Sequence, residues 1–316
     1  MERGRAATYD CRMPTAALPR RTAAAPLLLP ALLACYLVWG STYLAIRFAL
    51  ESFPPFFQMG TRFLAAGALL MAWMLWQARR GRARLPQWRE WRNALVVGTL
   101  MLGGGMGLVA QAGQHVGSGL VAACIAVVPM LVCAWGLVFG QRASRLELAG
   151  LVVGLAGVLL LVQGASFAAS PAAVASLAAA TLAWSLGSVL STTRLPLAPG
   201  AAGFASEMLC GGAVLMLLSL AMGEQFTAPP QARALAAWAY LVVFGSLLAF
   251  SAYLYLLAHA SPALATSYAF VNPVIALALG VSVGAETVSS HEWLACGVVL
   301  LGVILIFRGK STARAR

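Results

Sequence analysis

Two charged side chains stand where charge is costly. Arg62 and Glu207 each lie about seven or eight residues inside a long apolar stretch. At about 1.5 Å per helical residue, both are roughly 10–12 Å from the nearest end of that stretch. A charge at such depth costs about 2.5–3.5 kcal/mol on insertion scales, so neither should face hydrocarbon. A guanidinium there can attract an anionic group, and a carboxylate can bind a cationic group or carry a proton. The same two residues also fit a buried ion pair, and the sequence leaves both readings open. Glu207 is the only acidic residue deep in an apolar stretch, which makes it the candidate for proton coupling.

Other residues could join them. Trp39 and Trp184 fall mid-stretch, whereas membrane tryptophans collect at interfaces. An indole there wants a partner for its N–H and offers a flat face to apolar or cationic groups. Gly40, Ser41, Thr42 and Tyr43 follow Trp39, and Tyr253, Tyr268 and Asn272 add polar and aromatic groups. Trp39, Ser41, Thr42, Tyr43, Arg62, Trp184, Glu207, Tyr253, Tyr268 and Asn272 are therefore the candidates to line a cavity. Pro129 and Pro273 interrupt two apolar stretches and are candidate gating kinks; each also frees a backbone carbonyl.

Much chemistry is excluded. The only aspartate, Asp10, lies in the tail, so no Ser-His-Asp set can be assembled in the apolar body. Gly103-Gly104-Gly105 lacks the Gly-Lys-Ser/Thr that would cradle nucleotide phosphates, so ATP-driven work within this chain is excluded. The six cysteines are too scattered for a CxxC motif, and His115 and His259 have no carboxylate at ligand spacing. No enzyme activity, cofactor or metal is expected. The pI of about 10.2 invites a nucleic-acid reading. The arginines, however, sit in tails and short loops without a basic domain, where topology and anionic lipid account for them.

The elements that position these residues are membrane helices. With 61% hydrophobic and only 9% charged residues, the chain has too little polar surface to stay dissolved. Ten stretches can cross about 30 Å of hydrocarbon, near 26–47, 55–76, 94–113, 117–139, 147–164, 172–193, 201–221, 236–257, 262–283 and 292–307. With both termini cytoplasmic, 18 of the 21 Lys and Arg residues fall on the cytoplasmic side, as the positive-inside rule requires. The Arg-rich start precedes a stretch too long for a signal peptide and reads as a first span. Met13 is a second candidate start.

The halves echo each other at an offset of 144 to 145 residues. Trp39 answers to Trp184, Arg62 to Glu207, Pro129 to Pro273, and the pair Gly136/Gly140 to Gly280/Gly284. An odd number of spans per half makes this duplication an inverted repeat, which in secondary transporters surrounds a midplane site. The glycine pairs allow close helix approach.

The segments CYLVWGSTYLAIRFALESFPP, GTRFLAAGALL and SPALATSYAFVNPVIALALG resemble the EamA-type members of the drug/metabolite transporter superfamily, within it the YedA-like exporters. The resemblance covers about 26–308. It implies ten helices in two EamA repeats, a bacterial inner-membrane location and export of small metabolites or drugs. Many members end the fourth span with Gly-Glu; here the pair is Gly140-Gln141, and the second repeat has Gly284-Ala285-Glu286. The first repeat therefore lacks the acidic group that the resemblance implies at that position.

The expected fold is all-α: two inverted five-helix repeats, 25–164 and 165–308, around a central cavity, with cytoplasmic tails 1–24 and 309–316. The expected function is secondary transport of small metabolites, amino acids or drugs by alternating access, with protons as a candidate coupling ion. The alternative is a non-transporting membrane receptor or scaffold of the same fold. The expected partners are a small-molecule substrate and membrane lipid, without nucleic acid; monomer and homodimer both remain open.

Overall fold

The computed structural model describes residues 27–138, 144–163, 170–226, 229–260 and 267–314. Among them there is no strand, and the helices form ten rods. These are α1 (Leu28–Ala49), α2 (Pro55–Arg79), α3 (Trp88–Gly113), α4 (Ser118–Val138), α5 (Arg145–Val162), α6 (Pro171–Thr193), α7 (Ala201–Ala221), α8 (Ala232–Leu256), α9 (Tyr268–Ser282) and α10 (Ser290–Arg314). Seven of them, α1–α4 and α6–α8, are long and apolar enough to cross a membrane.

Two rods begin earlier than the apolar pattern predicts. α3 starts at Trp88 rather than near 94, because its first turns, WREWRN, carry a polar face beyond the apolar stretch. Gln87 and Glu90 cap that start reciprocally, so the helix is satisfied before it reaches apolar surroundings. α8 likewise begins at Ala232 rather than near 236.

Two ways of satisfying a helix start contrast here. α3, α5 and α10 carry local caps, with Ser144/Glu147 and Ser289/Glu292 serving the last two. α2 and α4 have none: their starts, Pro54-Pro55 and Gly117-Ser118, offer no capping side chain. Carboxylates from the other half satisfy them instead. Glu224 accepts from Phe56 N at 3.0 Å and Phe57 N at 2.8 Å, and Glu286 accepts from Ser118 N at 2.7 Å and Gly119 N at 3.2 Å. An anion at a helix amino end meets both orphan N–H groups and the positive end of the dipole. In both cases the residue before the carboxylate is left-handed, Gly223 at φ 66° and Ala285 at φ 50°.

Two glycine seams join the halves. On α2 and α7, Gly60 meets Met216, Gly67 meets Met208 and Leu209, and Gly212 meets Leu64, with no room for a Cβ. On α5 and α10, Gly150 and Gly154 lie against Gly302. Here the backbones themselves touch, as small residues permit. Gly280 and Gly284 do something else. They shape the surroundings of Glu286: a Cβ on Gly280 would lie 2.5 Å from its Oε2, and the Gly284 carbonyl accepts from Arg47. Gly140 and Gln141 lie outside the described residues.

Candidate functional site

Three segments of the rods are π-helical: Ala34–Val38 in α1, Thr99–Met106 in α3 and Leu241–Leu248 in α8. Those in α3 and α8 are repeat counterparts. Such wide turns concentrate at functional positions because they re-aim side chains and loosen backbone carbonyls. Each receives a tryptophan from the other half. Trp39 donates its N–H to the Gly245 carbonyl at 3.2 Å, and Trp184 lies on Gly105, where a Cβ would fall 2.8 Å from the ring.

Between these contacts lies a cavity of about 480 Å³, within the range that holds small ligands. Nine of the ten candidate lining residues border it: Trp39, Thr42, Tyr43, Arg62, Trp184, Glu207, Tyr253, Tyr268 and Asn272. Ser41 does not. One residue is about 100° of helix, and that turn carries its hydroxyl to Tyr240, at 2.7 Å.

Arg62 and Glu207 are buried, 3% and 6% exposed, and both border this cavity. Among the described residues neither joins an ion pair, so the sequence's alternative of a locked pair does not hold here. Arg62 is oriented by Ser246, whose hydroxyl accepts from Nε at 3.0 Å, and by the Phe63 ring, 4.9 Å from its Cζ. The π-helical turn of α8 supplies Ser246, and its Gly245 leaves space for the guanidinium: a Cβ there would be 3.1 Å from Nη2. Gly98 of α3 acts on the backbone instead: it lets α7 approach closely, since a Cβ would lie 2.7 Å from the Glu207 main-chain carbonyl. No described residue donates a hydrogen bond to the Glu207 carboxylate.

The remaining wall is aromatic. Trp39 packs against Phe250 at 5.4 Å, Tyr253 at 5.4 Å and Tyr268 at 4.7 Å, and Phe250 meets Phe204 at 4.9 Å. Edge-to-face and tilted pairs of this kind fix the rings beyond what burial alone does. The Asn272 amide, oriented to satisfy both its atoms, donates to the Tyr36 and Tyr268 carbonyls at 3.2 Å each.

Both prolines border the cavity. Pro129 accompanies a break in α4, whose helical halves are Ser118–Ile125 and Val128–Val138. Pro273 lies within α9 and has no N–H for the Ala269 carbonyl four residues back, and Ala269 also borders the cavity. Such kinks leave acceptors available where a ligand can reach them.

Several lining residues were not singled out in the sequence, among them Phe63, Met101, Ser188, Phe204 and Phe250. Helical spacing could have found some: Phe204 precedes Glu207 by three, Phe250 precedes Tyr253 by three, and Ser188 follows Trp184 by four. Ser188, Ser191, Thr192 and Leu197 carry the cavity toward the face that bears the Arg79–Arg92 segment. There Asn93 donates to the Pro196 carbonyl at 2.9 Å. Among the described residues, no group of three or more His, Cys, Asp or Glu is placed to hold a metal ion.

The chain matches the model of the EamA-like transporter family twice, over residues 27–163 and 171–308. It is 43% identical over 281 residues to the uncharacterized inner membrane transporter YedA of Escherichia coli (strain K12), covering 89% of this chain and 90% of that protein. It is 28% identical over 305 residues to an uncharacterized transporter of Synechocystis, covering 87% and 88%. With protein PecM of Dickeya dadantii it shares 27% identity over 273 residues, covering 85% and 86%. A protein of known crystal structure shares the fold, with a TM-score of 0.61 at 20% identity over 90% of this chain and 98% of that one.

Proposed function

Since this chain belongs to the EamA-like transporter family, we propose that it is a secondary transporter exporting small zwitterionic metabolites across the bacterial inner membrane. Amino acids are the leading class, with amphiphilic drugs that carry a cation next. All ten rods cross the membrane as two inverted five-helix repeats, 25–164 and 165–308, and the cavity between them alternates its access. The arginine-rich face is cytoplasmic, because charge bias places 18 of the 21 basic residues there.

One observation carries the substrate reading. A cation and an anion border a single buried cavity, and neither is neutralised by an ion-pair partner among the described residues. Uncompensated charge in an apolar site is costly, so its retention is best explained by a ligand that brings the complementary charges. Arg62 then receives a carboxylate, Glu207 an ammonium group, and the Trp39–Tyr253–Tyr268 wall an apolar side chain. Pro129 and Pro273 are the points about which α4 and α9 bend. Glu207 is also the coupling candidate, because a carboxylate free of Arg62 can exchange a proton while bound cation and proton compete for it.

Counterflow in proteoliposomes tests this. The purified protein should exchange labelled zwitterionic amino acids, and a pH gradient should drive net movement. Absence of exchange across a broad panel of zwitterions and cationic amphiphiles would overturn the assignment. Gradient-driven transport that survives Glu207→Gln would remove both the proton role and the ammonium contact of Glu207 and leave transport itself standing.

A further inference from the structure

The cavity ends on the far side at a thin partition with a charged cluster behind it. Tyr43 and Val109 border the cavity, and they also border a second void of about 10 Å³, room for about one water molecule. Arg47, Val116 and Ser118 close that void toward the face opposite the arginine-rich one. Directly above lies Glu286. Its carboxylate accepts from Arg47 Nη1 at 2.6 Å, Ser118 N at 2.7 Å and Gly119 N at 3.2 Å, and the Ser118 hydroxyl sits beside it without a well-aligned bond. Burial alone pushes the Glu286 carboxyl up; the Ser118 and Gly119 donors with Arg47 outweigh it and hold the group below the usual carboxylate range. It is therefore an anion at neutral pH.

The site is shaped for that anion. A Cβ on Gly117 would lie 2.8 Å from Glu286 Oε2, and one on Gly280 would lie 2.5 Å from it. The carboxylate comes from the α9–α10 loop of the second half, and every group it engages belongs to the first. The repeat register sets Gln141 opposite Glu286 and Thr192 opposite Arg47. The positions equivalent to Glu286 and Arg47 are thus both uncharged, so this pair has no repeat counterpart. Gln58, toward the same face, is a second polar group that the closed state leaves unsettled. It lies one turn beyond Arg62 on α2, is fully buried, and neither of its amide atoms has a hydrogen-bond partner. Buried amides are rarely left so, and a route that hydrates in another state would satisfy it.

We infer that Glu286 is the latch of an extracytoplasmic gate, and that substrate leaves past Tyr43 and Val109 between α1, α3 and α4 when it releases. This rests on the transport reading and on the arginine-rich face being cytoplasmic. The latch ties the loop after α9 to the amino end of α4 and to the end of α1. Releasing it frees the two halves to separate at that face, and the void beneath widens into the cavity.

Thiol accessibility tests the gate without requiring transport. Val116→Cys places a probe in the closed void, and intact cells are treated with a membrane-impermeant maleimide, using the chain without that substitution as background. Labelling should be slow in the otherwise unaltered protein. It should rise about tenfold or more in Glu286→Gln, the factor that loss of one charge-assisted hydrogen bond corresponds to. Gly117→Ala, which keeps the charge but displaces the carboxylate, should act in the same direction, as should Arg47→Met; these two carry the test if Glu286→Gln fails to fold. Unchanged labelling in the folded variants, with counterflow intact, overturns the gate and leaves transport standing. Raised labelling in a protein that exchanges no substrate supports the gate and overturns the transport reading.

Discussion

Two sets of charged groups, one at the cavity and one at the far face, are treated in opposite ways. At Glu286 the carboxylate has a cation, two amide donors and glycines that make space for it. At the cavity, Arg62 has a serine oxygen and an aromatic ring, and Glu207 accepts no hydrogen bond from any described residue. A buried charge with all its partners supports the fold; one left facing space has its partners still to come. The contrast separates structural charge from charge reserved for a ligand, although Glu286 and Glu207 are both buried carboxylates in an apolar chain.

The sharpest way to break this contrast is to remove the cavity charges. Arg62→Met and Glu207→Gln should each lower transport about 100-fold or more, the factor that corresponds to losing a desolvated charge-assisted contact. Both should leave the melting temperature in detergent unchanged or slightly raised, since each relieves an uncompensated charge. A several-degree fall in melting temperature with either variant would place that residue on the structural side. Glu286→Ala should do the reverse. It leaves two helix-end amides and Arg47 without their acceptor, costing about 1–3 kcal/mol after allowing for the partial exposure of Arg47. A melting temperature lowered by several degrees is expected, and no change would show that the cluster carries no stability.

Gln58 sharpens the comparison at smaller scale. Gln58→Leu removes an unsatisfied buried amide at similar volume and should stabilise the chain by about 1 kcal/mol. The same change should slow transport if Gln58 becomes hydrated when the far face opens; faster or unaltered transport would detach Gln58 from that step. Ala285→Gly is the mildest test. Ala285 sits at φ 50°, where glycine carries no Cβ penalty, so the substitution should stabilise by about 0.5–1 kcal/mol, read as a small rise in melting temperature. Its counterpart Gly223, before Glu224, already has that relief.

How far the site could be read in advance depended on the range of the signal. Arg62, Glu207, Trp39 and Trp184 were legible because each violates its apolar surroundings, and the internal repeat set them in register. Ser41 misled because it lies two residues, about 200° of helix, from Trp39, which turns it to the opposite side. The π-helical turns left no mark: TLMLGGGM and LVVFGSLL read as ordinary apolar helix, and only packing against Trp184 and Trp39 reveals them. Gly280 and Gly284 read as a helix-packing pair, yet at least Gly280 makes space for a carboxylate. Glu286 itself stood out only as a departure between the repeats, since its acceptor role is defined by amides 167 and 168 residues away.

Composition, periodicity and charge bias by themselves determined an all-helical membrane protein with a duplicated body, because the cost of exposing polar backbone or charge to hydrocarbon acts on every residue locally. The tertiary structure alone decided which charges are paired. Whether Arg62 meets Glu207, or Glu286 meets Arg47 and the start of α4, depends on how helices far apart in sequence rotate and approach. One glycine or one widened turn shifts that approach by more than a hydrogen bond can stretch.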